Sequence, residues 1–283
     1  MAVPIAIIGG SGLYQIPDLK ILEERTIATP YGDPSDAVII AELSGRTLAF
    51  LPRHGRGHRF NPTNVPVRAN IYALKSLGVE WLIGISAVGS LKLKIMPRDM
   101  VIPDQIIDRT KSRVNTFFDE IAVHADFSEP FCPILSSLLS DSIEKLGFRG
   151  HSGGTYVCME GPLFSTKAES AMHRSWGASV IGMTALPEAK LAREAEMCYS
   201  LVCLATDYDV WHESETVDIT MILDNLRQNV ENVQTLLKHV VNRIPESRRC
   251  NCTHALETAI LTDKKFITPA LREKWQPLLG KYL

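Results

Sequence analysis

The sequence predicts a single-domain α/β protein with a mixed β-sheet flanked by helices. Short apolar runs rich in β-branched residues recur along all 283 residues, helical patterns alternate with them, and no linker, repeat or low-complexity stretch interrupts the alternation. The first run, Val3–Ile8 (VPIAII), is apolar throughout, as a strand covered on both faces must be. The same reading gives strands at Ala37–Glu42 (AVIIAE), Thr47–Leu51 (TLAFL), Trp81–Ser86 (WLIGIS), Met100–Ile107 (MVIPDQII), Thr155–Met159 (TYVCM) and Tyr199–Thr206 (YSLVCLAT). Between them, spacing of apolar residues predicts helices over Val65–Leu77, Pro133–Leu146, Thr166–Trp176, Pro187–Ala195 and, longest, Val217–Val241. The main domain spans residues 1–243. A tail over residues 244–283, packing on the same domain, carries two short helical patterns at Thr253–Leu261 and Pro269–Leu279.

The length permits a large core. A formal charge of −2 argues against non-specific attraction to nucleic acid or anionic lipid, so partners must be recognised at a local site. No apolar run approaches the ~18 residues a membrane helix needs, and MAVPIAIIGG lacks the basic start of a signal peptide. A cytoplasmic protein without nucleic-acid or membrane partners is expected. Of the six cysteines, Cys250 and Cys252 form a C-x-C without the second pair or histidines of a zinc site, so no metal is expected.

The chemistry begins at residues 9–14, GGSGLY, directly after the first strand. A dinucleotide loop needs G-x-G-x-x-G and an acidic residue roughly 20 positions on. Here Gln15 stands where the third glycine belongs, and TPYGDPSD near position 30 closes no second strand. The glycines still let backbone N–H groups converge on an oxyanion, with the Ser11 hydroxyl at the tip. A second loop, PRHGRGHR at 52–59, packs three arginines and two histidines around two glycines. Arginine takes phosphate oxygens in a bidentate fork. His58 and Arg59 read as a solvated rim. SAVGSL at 86–91 reads as a third loop, and GMTALPE at 182–188 as a fourth, with Thr184 ahead of a helix that has Pro187 near its start. All four follow strands, where ligands sit in open α/β sheets. They favour free phosphate over a dinucleotide, leaving a nicotinamide-dependent oxidoreductase as the different-class alternative.

In order and spacing, GGSGLY, RHGRGH, SAVGSL, MEGPLFSTKAES (159–170), MTALPEAKLAREAEMCY (183–199) and ATDYDVW (205–211) closely resemble the 5′-methylthioadenosine phosphorylases of the trimeric purine nucleoside phosphorylase group. The likeness runs from about Val3 to Leu226. It implies a nucleoside phosphorylase-like fold, a homotrimer, and phosphate as co-substrate with no cofactor. It also implies phosphate contacts at Ser11, Arg53, His54, Ser86, Ala87 and Thr184. The Met183 backbone would hold the ribose hydroxyls, Phe164 would stack on the sugar or base, and Ser165 would sit beside the base. Asp207 and Asp209 would be the catalytic and purine-binding pair. Ile219 would discriminate substrates near the ribose, and His124 would reach the 5′ substituent from a neighbouring subunit. Where the family often has asparagine before Met-Thr, this chain has Gly182.

Residue chemistry agrees with that implication. A 6-amino purine donates a hydrogen, so an accepting carboxylate suits adenine better than hypoxanthine or guanine. Desolvation beside a second carboxylate would let Asp207 carry a proton to N7 as the glycosidic bond breaks. Phosphorolysis of methylthioadenosine in purine and methionine salvage is the expected activity. Adenosine, inosine or methylthioinosine are the alternative substrates, and apolar residues near Ile219 and Ile222 favour a thioether over a 5′ hydroxyl.

Overall fold

The computed structural model of the protein describes residues 3–10, 13, 16–212 and 219–283, with side chains in the last stretch from Ile222 onward. Ser11, Gly12, Tyr14 and Gln15 of the glycine loop therefore lie outside the described residues.

The strands are β1 (Ile5–Gly9), β2 (Lys20–Arg25), β3 (Val38–Leu43), β4 (Arg46–Pro52), β5 (Trp81–Ser90), β6 (Met100–Ile102), β7 (Gln105–Arg109), β8 (Gly150–Ser152), β9 (Thr155–Met159), β10 (Val180–Gly182) and β11 (Cys198–Asp207). They form one branched mixed sheet running β2-β3-β4-β1-β5-β10-β9-β7, with β11, β6 and β8 branching from β5. Around it lie α1 (Val67–Ser76), α2 (Pro133–Lys145), α3 (Lys167–Ser175), α4 (Glu188–Glu194), α5 (Ile219–Val241), α6 (Pro269–Lys274) and α7 (Gln276–Leu279).

Period-two side-chain alternation explains the layers. Ala6 and Ile8 of β1 face a core shared with Ile71 and Leu74 of α1 and Leu191 of α4. Ile5 and Ile7 face the opposite one, with Leu135 and Leu139 of α2 and Val233 and Leu236 of α5. Both faces are covered, as apolar strands require. Every residue of β11 is buried. In the tail, Leu256, Trp275 and Leu278 join the first core and Cys252 the second, and the Trp275 indole donates to the Tyr31 hydroxyl at 3.0 Å.

Several expectations need correction. SAVGS is strand, not loop: β5 continues to Ser90, pairing in parallel with β11 as far as Gly89 and antiparallel with β10 at Gly89 and Ser90. Neighbours on both edges satisfy its backbone, which a loop could not do in the interior. The run Met100–Ile107 breaks at Pro103-Asp104 into β6 and β7, which pair with different strands. Proline supplies no donor to a central ladder. Within Thr253–Leu261 there is only the end of a short 3-10 helix over Asn251–His254. β2 was invisible because KILEER is a polar, largely exposed edge strand without an apolar face. Among the described residues no helix is long and apolar enough to cross a membrane.

Candidate active site

β1, β4, β5 and β11 run parallel. Their carboxyl ends converge on a cavity of about 520 Å³ lined by Gly10, Arg53, His54, Ser86, Ala87, Phe164, Met183, Thr184, Asp207 and Asp209, among others. Of the sequence-predicted set, these are brought together. A roomier groove of about 750 Å³ between α2 and β8 contains none of them.

At the end where the sequence places phosphate contacts, the Ser86 and Thr184 hydroxyls lie 2.8 Å apart. The Tyr156 hydroxyl accepts from the Thr184 N–H at 3.3 Å and lies 3.4 Å from Ser86 Oγ. A Cβ on Gly182 would collide with that hydroxyl. Tyr156 thus occupies the space that a side chain at 182 would need.

Arg53 differs from expectation. Its bidentate fork goes to Glu188, from Nε at 2.7 Å and Nη2 at 2.8 Å. Nη1 donates to the Ile85 carbonyl at 2.6 Å and Nη2 also to Ile8 at 3.1 Å. Glu188 accepts a third bond, from the Tyr199 hydroxyl at 2.8 Å. A buried carboxylate wins the fork because either ion alone would be costly without its partner.

His54 places Nδ1 2.9 Å from the Phe60 carbonyl and stacks on His58, with ring centroids 4.3 Å apart. Burial, then the charge of Arg53, lowers its pKa to about 4. The ring is therefore neutral near pH 7, Nδ1–H donates to Phe60, and the remaining nitrogen is an acceptor. His58, read as rim, also lines the cavity.

At the opposite end, β11 bulges between Ala205 and Asp207. Asn229 and Asn225 of α5 donate to the Ala205 and Thr206 carbonyls at 3.0 and 2.8 Å, fixing the bulge. Asp207 accepts from Thr206 Oγ1 and from the Asp209 N–H, each at 2.7 Å. A Cβ on Gly89 would stand 3.1 Å from Asp207 Oδ1 and 3.2 Å from Asp209 Cβ, so glycine lets both aspartates close on β5. Burial pushes the Asp209 carboxyl above its usual range, and the Asp207 charge acts the same way. Asp209 Oδ2 makes no hydrogen bond among the described residues; Ser170 faces it without closing a well-formed one.

The wall between the two ends comes from Met159, Ile222, Leu226 and Val230. Ser165 is buried behind it, its hydroxyl 3.8 Å from Met159 Sδ. Ile219 opens α5, and its side chain is outside the described residues. His124 is exposed, and its segment pairs with the tail through Val123 and Ile260; within one chain it is outside the cavity.

Sequence reasoning missed Arg113. Its Nη1 donates to the Met183 and Leu186 carbonyls, both at 2.6 Å, and Nε to Glu160 at 3.2 Å. Nη2 reaches the Met159 and Glu160 carbonyls, so one buried guanidinium joins residues 159–160 to the 183–186 segment. RVNTFF offers no motif for this, and only the fold reveals it.

Fold and site together define a nucleoside phosphorylase-like α/β protein. A sequence model described as the Phosphorylase superfamily matches residues 4–242. An S-methyl-5′-thioadenosine phosphorylase of Chloroflexus aurantiacus is 53% identical, covering 98% of this chain and 98% of its own length. One of Koribacter versatilis is 50% identical, covering 100% and 97%. The crystal structure of a methylthioadenosine phosphorylase from an antarctic soil metagenomic library has TM-score 0.94 at 46% identity, covering 98% and 99%. The chain belongs to the phosphorylase superfamily and, within it, to the S-methyl-5′-thioadenosine phosphorylase family.

Two expectations follow from the buried ions. Glu188→Ala leaves Arg53 without its counter-ion and should destabilise the fold by about 3–5 kcal/mol in urea unfolding; a loss under ~1 kcal/mol would show that Arg53 re-pairs. His54 should titrate near 4 by NMR. The unfolded chain takes that proton near 6.5, so this group lowers stability as pH falls from 6.5 towards 4 and has no effect above that window.

Proposed function

We propose that the chain catalyses phosphorolysis of S-methyl-5′-thioadenosine to adenine and 5-methylthio-α-D-ribose 1-phosphate. The observation carrying this reading is one cavity with an anion end and a paired-carboxylate end, in a chain of a family whose members bear that activity in their names. Phosphate is held by Ser86, Thr184, Ala87 and the glycine loop, including Ser11. The neutral His54 accepts a hydrogen from a protonated phosphate oxygen. Arg53 acts through its positioning of β1, β5 and α4 and through the one guanidinium hydrogen its partners leave over.

A phosphate oxygen bonds to C1′ as the C1′–N9 bond breaks, and the bonding pair leaves with adenine. Asp207 donates a proton to N7 as the bond breaks, and the buried Asp209 carboxyl beside it supports that proton. Asp209 Oδ2, buried and unpartnered among the described residues, is an acceptor suited to the 6-amino group. The negative phosphate stabilises the oxocarbenium-like sugar, so positioning and electrostatics carry the catalysis. Met183 and Phe164 shape the sugar and base site, with Ser165 behind Met159, and Ile222 and Leu226, which follow Ile219 in α5, form an apolar 5′ wall.

Adenosine is a second substrate to test, because the Schistosoma mansoni neighbour, at 31% identity and TM-score 0.85, is described as an adenosine/methylthioadenosine phosphorylase. We also infer a cytoplasmic homotrimer in which His124, exposed in the single chain, reaches a neighbour's site, and a boundary at 243/244 between the phosphorylase domain and its tail.

Product analysis on methylthioadenosine, adenosine and inosine, with and without phosphate, tests the reading. Adenine and the sugar 1-phosphate should form only with phosphate, fastest from methylthioadenosine. Adenine release without phosphate would make the protein a hydrolase. Asp207→Asn should lower kcat at least ~10²-fold, the low end for losing a general acid; wild-type turnover would remove Asp207 from proton transfer.

A further inference from the structure

Away from the cavity, four cysteines far apart in sequence meet. Cys132 precedes α2, Cys198 begins β11, and Cys250 and Cys252 lie in the tail. Their Sγ atoms all lie within 4.8 Å of one another. Cys132 and Cys250 sulfurs are 3.7 Å apart, and those of Cys198 and Cys250 3.2 Å. Cys132, Cys198 and Cys252 are buried and Cys250 half-buried, and all four are free thiols.

We infer that Cys132, Cys198, Cys250 and Cys252 form a structural tetrathiolate site for a zinc-class divalent ion.

The geometry fits the ion. Zinc–thiolate bonds of about 2.3 Å place tetrahedral sulfurs about 3.8 Å apart. The observed separations bracket that value, so small χ adjustments suffice. Four soft sulfur ligands with no oxygen or imidazole select zinc over magnesium or calcium. Burial leaves no open coordination position, which is the form of structural sites, not catalytic ones.

The surroundings suit the resulting charge. Four thiols lose four protons on binding one divalent ion, giving a net charge of −2 at the site. Cys132 is the N-cap of α2, at the positive end of the helix dipole, and the Arg193 cation lies near Cys252. The ion would clamp the tail to the beginning of the strand whose other end carries Asp207. The C-x-C alone lacked a second pair; the fold supplies it from 118 and 52 residues away from Cys250.

The test uses the full chain purified under reducing conditions, loaded with zinc or cobalt and desalted. One equivalent of zinc per chain is expected by elemental mass spectrometry. The cobalt form should show the intense visible bands of tetrahedral thiolate coordination, and chelation should lower the melting temperature by several degrees. Cys250→Ser/Cys252→Ser should lose the stoichiometric metal and the cobalt bands. Retention of less than a tenth of an equivalent by the wild-type chain would overturn the inference. So would two disulfides among the four cysteines after purification in reductant. Both readouts use the wild-type protein, so a poorly folding variant leaves the question decidable, and neither depends on phosphorolysis.

Discussion

A single guanidinium holds the site's floor together. Arg53, directly after β4, bonds the end of β1 and the middle of β5 through the Ile8 and Ile85 carbonyls and reaches α4 through Glu188, which Tyr199 anchors from β11. Five elements that must converge for the cavity to exist are thus tied at one buried point. A buried ion pair contributes little net stability over a well-packed apolar group, yet losing one partner is costly. Its value here is geometric: it sets which strand ends face each other.

From that tie the two ends of the cavity take opposite characters. Hydroxyls of Ser86 and Thr184 and a neutral imidazole line one end, so its polarity comes from directed groups more than from bare positive charge. At the other end, the bulge in β11 turns Asp207 and Asp209 together, and Asn225 and Asn229 of α5 hold the carbonyls that the bulge frees. Two carboxylates kept close in a buried place resist full ionisation. The apolar wall between separates these electrostatic regimes.

Much of this was legible in the sequence. Apolar runs marked β1, β3, β4, β9 and β11 because strands covered on both faces are apolar over most of their length. Thr184 and His54 stood out as polar residues in glycine-containing loops after β10 and β4, whereas Ser86 lies within β5 and Asp207, at the end of β11, was singled out only through the family resemblance. Arg113 and Glu188 were illegible as site builders: their partners are backbone carbonyls or a residue 135 positions away. SAVGS looked like a loop because its small residues serve close approach, which here lies between strands. The cysteine cluster was hidden for the same reason as Arg113, since spacing in the chain says nothing about three segments brought together by β11.

The Tyr156 hydroxyl standing in the space beside Gly182 has a bearing on redesign. Introducing asparagine at 182 is not a one-step change, because the phenol must first be removed. Removing it also strips a partner from the Thr184 amide and from Ser86. Positions 182, 184 and 86 are therefore linked through one oxygen, and a side chain at 182 can enter this scaffold only through paired substitutions.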